Sequence, residues 1–206
     1  MSRLFPVVES LPPGYSSFDL WPFRGHDGGW IPLRREMSSD DVGAVVLSLL
    51  GHSTSGELAR PDLGTAFDEL TRLETLFLPG GLLLEADGIA VTPGCCCDLT
   101  DWPDWHGIPD GNVPDLGHGP GTVFEFDGDI IRFWPDVDDE DWEFPEGRRL
   151  EIRRQDLPGL LQGVNQDLAG FLEALREWMR NLEPSHADQV VAAVSGYLSV
   201  GKYPSA

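Results

Sequence analysis

Three consecutive cysteines, Cys95, Cys96 and Cys97, are the residues whose type and spacing most directly suggest chemistry, and the chain has no others. Cys95 and Cys97 could bind zinc together with His106 and His118, but the spacing matches no standard C-x-x-C zinc motif. A redox switch is a second alternative, and it lacks a flanking cationic residue that would lower a thiol pKa. We favour reduced, buried cysteines that pack as small apolar side chains at a strand end. We therefore predict no metal ligands and no cofactor.

A run of acidic residues near position 140 is the second feature that suggests binding. It lacks the glycine and the twelfth-position glutamate of an EF-hand loop, so a dedicated calcium site is not indicated. A solvated charge run is the commonest explanation of such a pattern, and loose binding of divalent cations is another. The functional interpretation is contact with a basic protein. The predicted partner-binding residues of the run are Asp136, Asp138, Asp139, Glu140, Asp141 and Trp142.

Trp102 and Trp105 are three residues apart, which places both indoles on one side of a helical turn. Two uses are open for them. Packing beneath the acidic segment is the interpretation that the sequence favours. If the indoles are exposed, they would instead anchor a partner, because tryptophan is enriched at interface hot spots. On that second interpretation they join the predicted partner-binding residues.

The sequence contains none of the common catalytic motifs. There is no G-x-S-x-G elbow, no P-loop and no H-E-x-x-H helix. His26 and His118 each lie in a glycine-rich segment and could host a general base, but turns built from permissive residues explain both segments more simply. We predict no catalytic residue and expect a non-enzymatic protein.

The net charge of −21 is concentrated in the middle of the chain. Between Asp98 and Glu146 there are fifteen acidic residues and one basic residue, Arg132. A surface of one sign attracts partners of the opposite sign and repels nucleic acids and anionic membranes. We therefore expect a basic protein partner and neither nucleic acid nor membrane, although the same charge would also serve solubility alone. No pattern indicates an oligomeric state.

The mean hydropathy of −0.19 is typical of a soluble globular protein. No stretch approaches the length of a membrane span, and the first residues lack the apolar core of a signal peptide. A cytoplasmic location is the resulting expectation.

Four helices and two hairpins are expected to position these residues. The hairpins have Asp-Gly turns at 87–88 and 127–128, which favour tight antiparallel pairing. Residues 148–154 alternate apolar and charged side chains and predict a further strand. The first predicted helix begins at Ser38 or Ser39 and ends at Gly51, and the second begins after Asp62 and includes Phe77. The third runs from Asp156 to Leu182, and the fourth begins at Ser185.

This order of elements predicts an α+β fold, with a mainly antiparallel sheet of hairpins packed against N-terminal and C-terminal helices. The sheet would be built from 82–92, 122–134 and 148–154, with the long helix from Asp156 packed on it. The 206 residues are expected to form a single domain. Residues 1–37 would be an irregular arm rich in aromatic residues, proline and glycine, with a short strand or two, and 38–206 the α+β core.

Two resemblances follow from these motifs. The run from Pro93 to Trp105, with Pro-Gly-Cys-Cys and Asp-Trp-x-x-Trp, together with Leu-Gly-His at 116–118, resembles a signature in a group of uncharacterised actinobacterial proteins. It covers roughly residues 80–135. More distantly, the acidic α+β character is similar to that of immunity proteins of polymorphic toxin systems, including the SUKH superfamily. That resemblance implies a protein that neutralises a toxin, and it supplies no catalytic residues.

Three functions remain open on the sequence. The first is an immunity-type binding protein that occludes a basic toxin with an acidic surface, and it is the one we prefer. The second is a metal-assisted hydrolase that would use acids from 98–146 with His106 or His118. The third is a structural or regulatory adaptor without a dedicated site. Acidic patches and aromatic residues favour binding, and missing catalytic motifs count against the second.

Overall fold

The computed structural model describes residues 2–12, 20–23, 25, 28–53, 62–118, 121–135, 137 and 145–202. Within them the chain forms an α+β fold with two antiparallel sheets, which confirms the predicted class. None of the helices in these ranges is long and apolar enough to cross a bilayer. The strands are β1 Arg3–Glu9, β2 Trp30–Pro32, β3 Gly80–Ala86, β4 Ile89–Val91, β5 Val123–Asp127, β6 Ile130–Trp134 and β7 Leu150–Arg153. The helices are α1 Ser39–Ser53, α2 Leu63–Arg72, α3 Leu157–Leu182, α4 Ala187–Tyr197 and a 3₁₀ helix Leu99–Asp110, with a short 3₁₀ turn at Arg154–Asp156.

The first sheet has the order β2-β1-β3-β4. Strand β1 is central, pairing with β2 on one side and with β3 from Arg3↔Glu85 to Val8↔Gly80 on the other. The predicted irregular arm therefore contributes the two strands expected of it, but one of them lies inside the sheet. The central position of β1 is hard to predict from the sequence because the strand contains Pro6, and a proline within a strand-like stretch argues against a central strand. The predicted 87–88 turn is confirmed, with positive φ at both Asp87 and Gly88.

The second sheet has the order β5-β6-β7, so the single predicted sheet is divided in two. The predicted hairpin forms, but its turn lies one residue later than expected. Asp127 pairs with Ile130, which leaves Gly128 and Asp129 as the turn residues. Only Gly128 of these two has positive φ, at 57°, which suits a type II′ turn with glycine first.

The helices enclose the core between them and the first sheet. α1 is buried from Val42 to Leu50 without a break, because α2 and α3 both pack against it. Its start is confirmed: the Asp41 amide donates to Ser38 Oγ at 3.1 Å. α3 packs on the first sheet through β1, a strand of the predicted arm and not of the predicted sheet, and it also packs on α4. α2 is shorter than predicted, because the backbone becomes extended at Leu73 and Phe77 lies beyond the helix.

Candidate functional site

The 3₁₀ helix Leu99–Asp110 has a repeat of three residues that separates a buried side from an acidic one. In a 3₁₀ helix, residues three apart lie directly above one another. The buried side chains are Leu99, Trp102, Trp105 and Ile108. The acidic side carries Asp98, Asp101, Asp104 and Asp110, which we call the acidic ridge. Twelve residues is unusually long for this type of helix, so its tertiary contacts must hold it.

Three of those contacts hold the helix from different directions. Trp102 Nε1 donates to the carbonyl of Leu198, just after α4, at 2.7 Å. Trp105 stacks on Phe133 of β6 with ring centroids 6.2 Å apart. Arg154 donates to the carbonyl of Pro109 near the end of the helix. The helix is thereby fixed to the second sheet and to the C-terminal helices.

Both predicted tryptophans are therefore core residues. Trp102 is 1% exposed and Trp105 is 2% exposed. The packing alternative is correct for both, and neither indole is available to a partner in this arrangement. The predicted spacing on one side of a helical turn is confirmed, and burial follows because that side faces the core.

The acidic ridge faces solvent next to this buried side. Asp101, Asp104 and Asp110 are exposed, whereas Asp98 caps the helix and accepts from the amides of Leu78 and Thr100. Partial burial raises the pKa of Asp101, and the charges of Asp98, Asp104 and Asp115 raise it further. No ridge carboxylate forms an ion pair with another described residue, so no base in the described part of the chain offsets their charges.

The acids of the second sheet are arranged differently. Arg132 donates to Glu125 at 2.9 Å, to Asp127 at 2.7 Å and to Glu151 at 2.9 Å. Arg149 also donates to Glu151, at 2.8 Å. The one base between positions 98 and 146 thus forms ion pairs with three acids of the sheet and with none of the ridge. The ridge carries four of the described acids of this segment that form no ion pair with a described base, and Asp115, Asp129 and Glu146 are the others.

The predicted partner-binding residues of the acidic run lie outside the described residues. These are Asp136, Asp138, Asp139, Glu140, Asp141 and Trp142. Trp134, which precedes the run, is 7% exposed, and the guanidinium of Arg149 lies 5.1 Å from its ring centre.

The cysteine run forms a turn that pairs with the segment before His118. Cys95 donates to the His118 carbonyl at 2.8 Å and accepts from the His118 amide at 3.0 Å. The Cys97 amide donates to Gly94 at 3.4 Å and closes the turn. A Cβ at position 94 would lie 2.3 Å from the His118 carbonyl oxygen, and one at Gly117 would lie 2.3 Å from that of Cys95. Only glycine at both positions lets the two backbones approach this closely.

The thiols differ in exposure, so the prediction of three buried cysteines is wrong for two of them. Cys97 is buried, but Cys95 and Cys96 are exposed because the turn projects them away from the core. Burial raises the pKa of the Cys97 thiol to about 11. The hydrogen bond with Cys95 raises the pKa of the Cys96 thiol, and the charge of Cys95 adds to this. Raised thiol pKa values argue against a reactive redox cysteine.

One set of potential metal ligands emerges from this turn. The Sγ atoms of Cys95 and Cys96 and a ring nitrogen of His118 all lie within 4.8 Å of one another. The four-residue zinc alternative considered from the sequence does not assemble as a set, because Cys97 is buried and His106 packs on Trp102 with ring centroids 5.6 Å apart. The sequence offers no direct signal for the pairing of Cys95 with His118, which depends on a long-range bridge.

A Ser-His-Asp contact, missed by sequence reasoning, joins α2 to the turn before α4. His186 Nδ1 lies 3.0 Å from Ser185 Oγ, and His186 Nε2 lies 3.3 Å from Asp68 Oδ1. However, Ser185 Oγ donates to Glu183 at 2.5 Å, so the hydroxyl proton is directed away from the imidazole. A nucleophilic serine needs its proton on the base. We assign this group a structural role in connecting the two helices.

Comparisons of the chain with protein-family models, with curated proteins and with solved structures found no match. The site is therefore interpreted from its own geometry.

Proposed function

We propose that this protein is a non-enzymatic binding module, of immunity type, that neutralises a basic protein partner through an acidic surface centred on the acidic ridge. The observation that carries the proposal is a line of carboxylates, none of them ion-paired with a described residue, on a helix whose other side is locked in the core. The charges are thereby held in place before a partner arrives.

Electrostatics supports this assignment over a role in solubility alone. Charges spread evenly over a surface suffice for solubility, whereas a line of one sign creates a local potential that steers a cationic partner. Partial burial is the largest cause of the raised pKa of Asp101, and repulsion from the neighbouring carboxylates raises that pKa further. A cationic side chain placed on the ridge would relieve that repulsion.

The rigidity of the ridge supports binding in a second way. Association is weakened when loops or side chains must first be ordered. The ridge is ordered by Trp102, Trp105 and Ile108, which are buried beneath it. A partner therefore meets carboxylates whose backbone is already fixed.

The experiment uses as the partner a cationic protein that the proposal expects to be encoded beside the gene of this chain. Association is measured by stopped flow at low and high salt for the wild type and for Asp101→Asn/Asp104→Asn/Asp110→Asn. We expect the triple variant to associate about tenfold more slowly at low salt, because steering is lost. The difference should shrink at high salt, where the Debye length falls to a few ångströms.

A matched variant with the same change in net charge serves as the control. Glu36→Gln/Glu74→Gln/Glu177→Gln alters exposed acids outside the ridge and should leave association close to that of the wild type. Equal slowing by both triple variants would mean that net charge, and not the ridge, governs association. If coexpression of the chain does not protect cells from a toxic neighbour, the immunity role is excluded.

A further inference from the structure

We propose that Cys95, Cys96 and His118 form a binding site for a thiophilic divalent cation of the zinc type, with two thiolates and one imidazole as ligands. This site lies outside the acidic ridge and does not depend on the proposed binding function.

The backbone places the three side chains together. Cys95 and His118 exchange two hydrogen bonds, and such directly opposed residues of an antiparallel pair project their side chains on the same side. Cys96 follows at the tip of the same turn. The three candidate ligand atoms lie within 4.8 Å of one another. Ligands of a tetrahedral zinc ion are about 3.5–3.8 Å apart, given Zn–S and Zn–N distances of about 2.3 and 2.0 Å, so small side-chain rotations would close the site.

The backbone at the turn also has an unusual conformation that the proposed site would explain. Cys96 has φ of 69°, a left-handed conformation that glycine adopts without strain and a cysteine does not. Backbone strain of this kind persists only where the surrounding structure imposes it. Here the imposed conformation exposes the Cys96 thiol next to that of Cys95.

The ligand types and their surroundings select the class of cation. Thiolate and imidazole favour zinc-like ions over magnesium and calcium, which prefer oxygen ligands. Both thiols and His118 are exposed, so an ion can reach them from solvent. Three protein ligands leave a fourth position for water.

The test titrates the reduced, metal-free full chain with Co²⁺ and then displaces it with Zn²⁺, in the presence of excess Mg²⁺. We expect one Co²⁺ per chain, with a thiolate-to-cobalt charge-transfer band and the intense visible bands of tetrahedral cobalt. Cys95→Ser, Cys96→Ser and His118→Ala should each weaken binding by more than the roughly 10–100-fold that loss of an outer-shell partner causes. Circular dichroism checks that each variant is folded.

Two matched variants remove the same residue types from elsewhere in the chain. Cys97→Ala deletes the adjacent buried thiol, and His52→Ala deletes an exposed imidazole in the last turn of α1. Both should bind one Co²⁺ with the wild-type spectrum. Absence of the charge-transfer band, or unchanged binding in both Cys95→Ser and His118→Ala, would overturn the proposal. Loss of binding in Cys97→Ala with a wild-type fold would also overturn it, because Cys97 would then be a ligand.

Discussion

At the scale of single residues, position within the 3₁₀ repeat decides what each side chain does. Trp102 and Asp101 are neighbours in the sequence, yet one is in the core and the other faces water. The spacing of the tryptophans was readable from the sequence because a period of three is a local property. Their burial was left open because it depends on Leu198 and Phe133, which are distant in the chain.

Asp101 gives a prediction about stability and pH. Partial burial and then the neighbouring carboxylates raise its pKa above the ordinary 3.8, so its ionised form destabilises the folded state. Asp101→Asn should therefore increase the free energy of unfolding at neutral pH, by about 0.5 kcal/mol or less because water screens an exposed group. The gain should decline as pH falls through the raised pKa and vanish below about 3.8.

Urea unfolding of the wild type and Asp101→Asn at a series of pH values measures this difference. Asp188→Asn, an exposed acid on α4, provides the comparison. A stability gain for Asp101→Asn that is constant across the pH range would show that the carboxylate's ionisation is not its cause.

At the scale of elements, the helices were more predictable than the sheets. The long helix was predicted over Asp156–Leu182 because its apolar period is continuous, and the apolar residues at steps of three or four from Leu157 to Met179 are buried. The division into two sheets could not be predicted from the sequence, because the alternation of apolar and polar residues within a strand does not show which strands pair. The same limit applies to the candidate metal site, whose two halves meet only through the Cys95–His118 bridge.

The second sheet yields a prediction about acid sensitivity. Hydrogen bonds from Arg132 and then Arg149 lower the pKa of Glu151, so this pairing stabilises the fold at neutral pH. Arg132→Gln would leave Glu125, Asp127 and Glu151 to repel one another. It should lower the midpoint of urea unfolding at pH 7, and the difference from the wild type should shrink as pH falls below about 4.5 and through the lowered pKa.

Arg153→Gln is the control for this experiment. Arg153 pairs with Asp156 in an exposed contact at 2.8 Å, and such pairs contribute little to stability. If Arg132→Gln changes the unfolding midpoint no more than Arg153→Gln, the network around Arg132 contributes nothing beyond an ordinary surface pair.

At the scale of the whole molecule, the charge of −21 opposes compaction. Its net value was evident from the sequence, but its arrangement was not. Glu125, Asp127 and Glu151 on the second sheet pair with Arg132, while the acids of the ridge pair with no described base. The sequence could not distinguish these two sets, because the distinction depends on where one arginine lies in the folded chain.

This imbalance predicts that salt stabilises the protein. Raising sodium chloride from about 0.01 to 0.5 M shortens the Debye length from about 30 Å to a few ångströms, which weakens repulsion between the carboxylates. The midpoint of thermal unfolding should rise over this range. It should rise less in Asp101→Asn/Asp104→Asn/Asp110→Asn, which has less repulsion to screen. A midpoint that falls with salt would show that ion pairs outweigh repulsion.

The hydrogen bond from Trp102 to Leu198 has a consequence for how the protein is made. Its donor and acceptor are 96 residues apart in the chain, so Trp102 emerges from the ribosome long before Leu198 does. During that interval the 3₁₀ helix lacks one of the contacts that hold it. The surface that carries the ridge is completed only when α4 has emerged and docked, so a nascent chain that stops short of Leu198 lacks the finished acidic ridge.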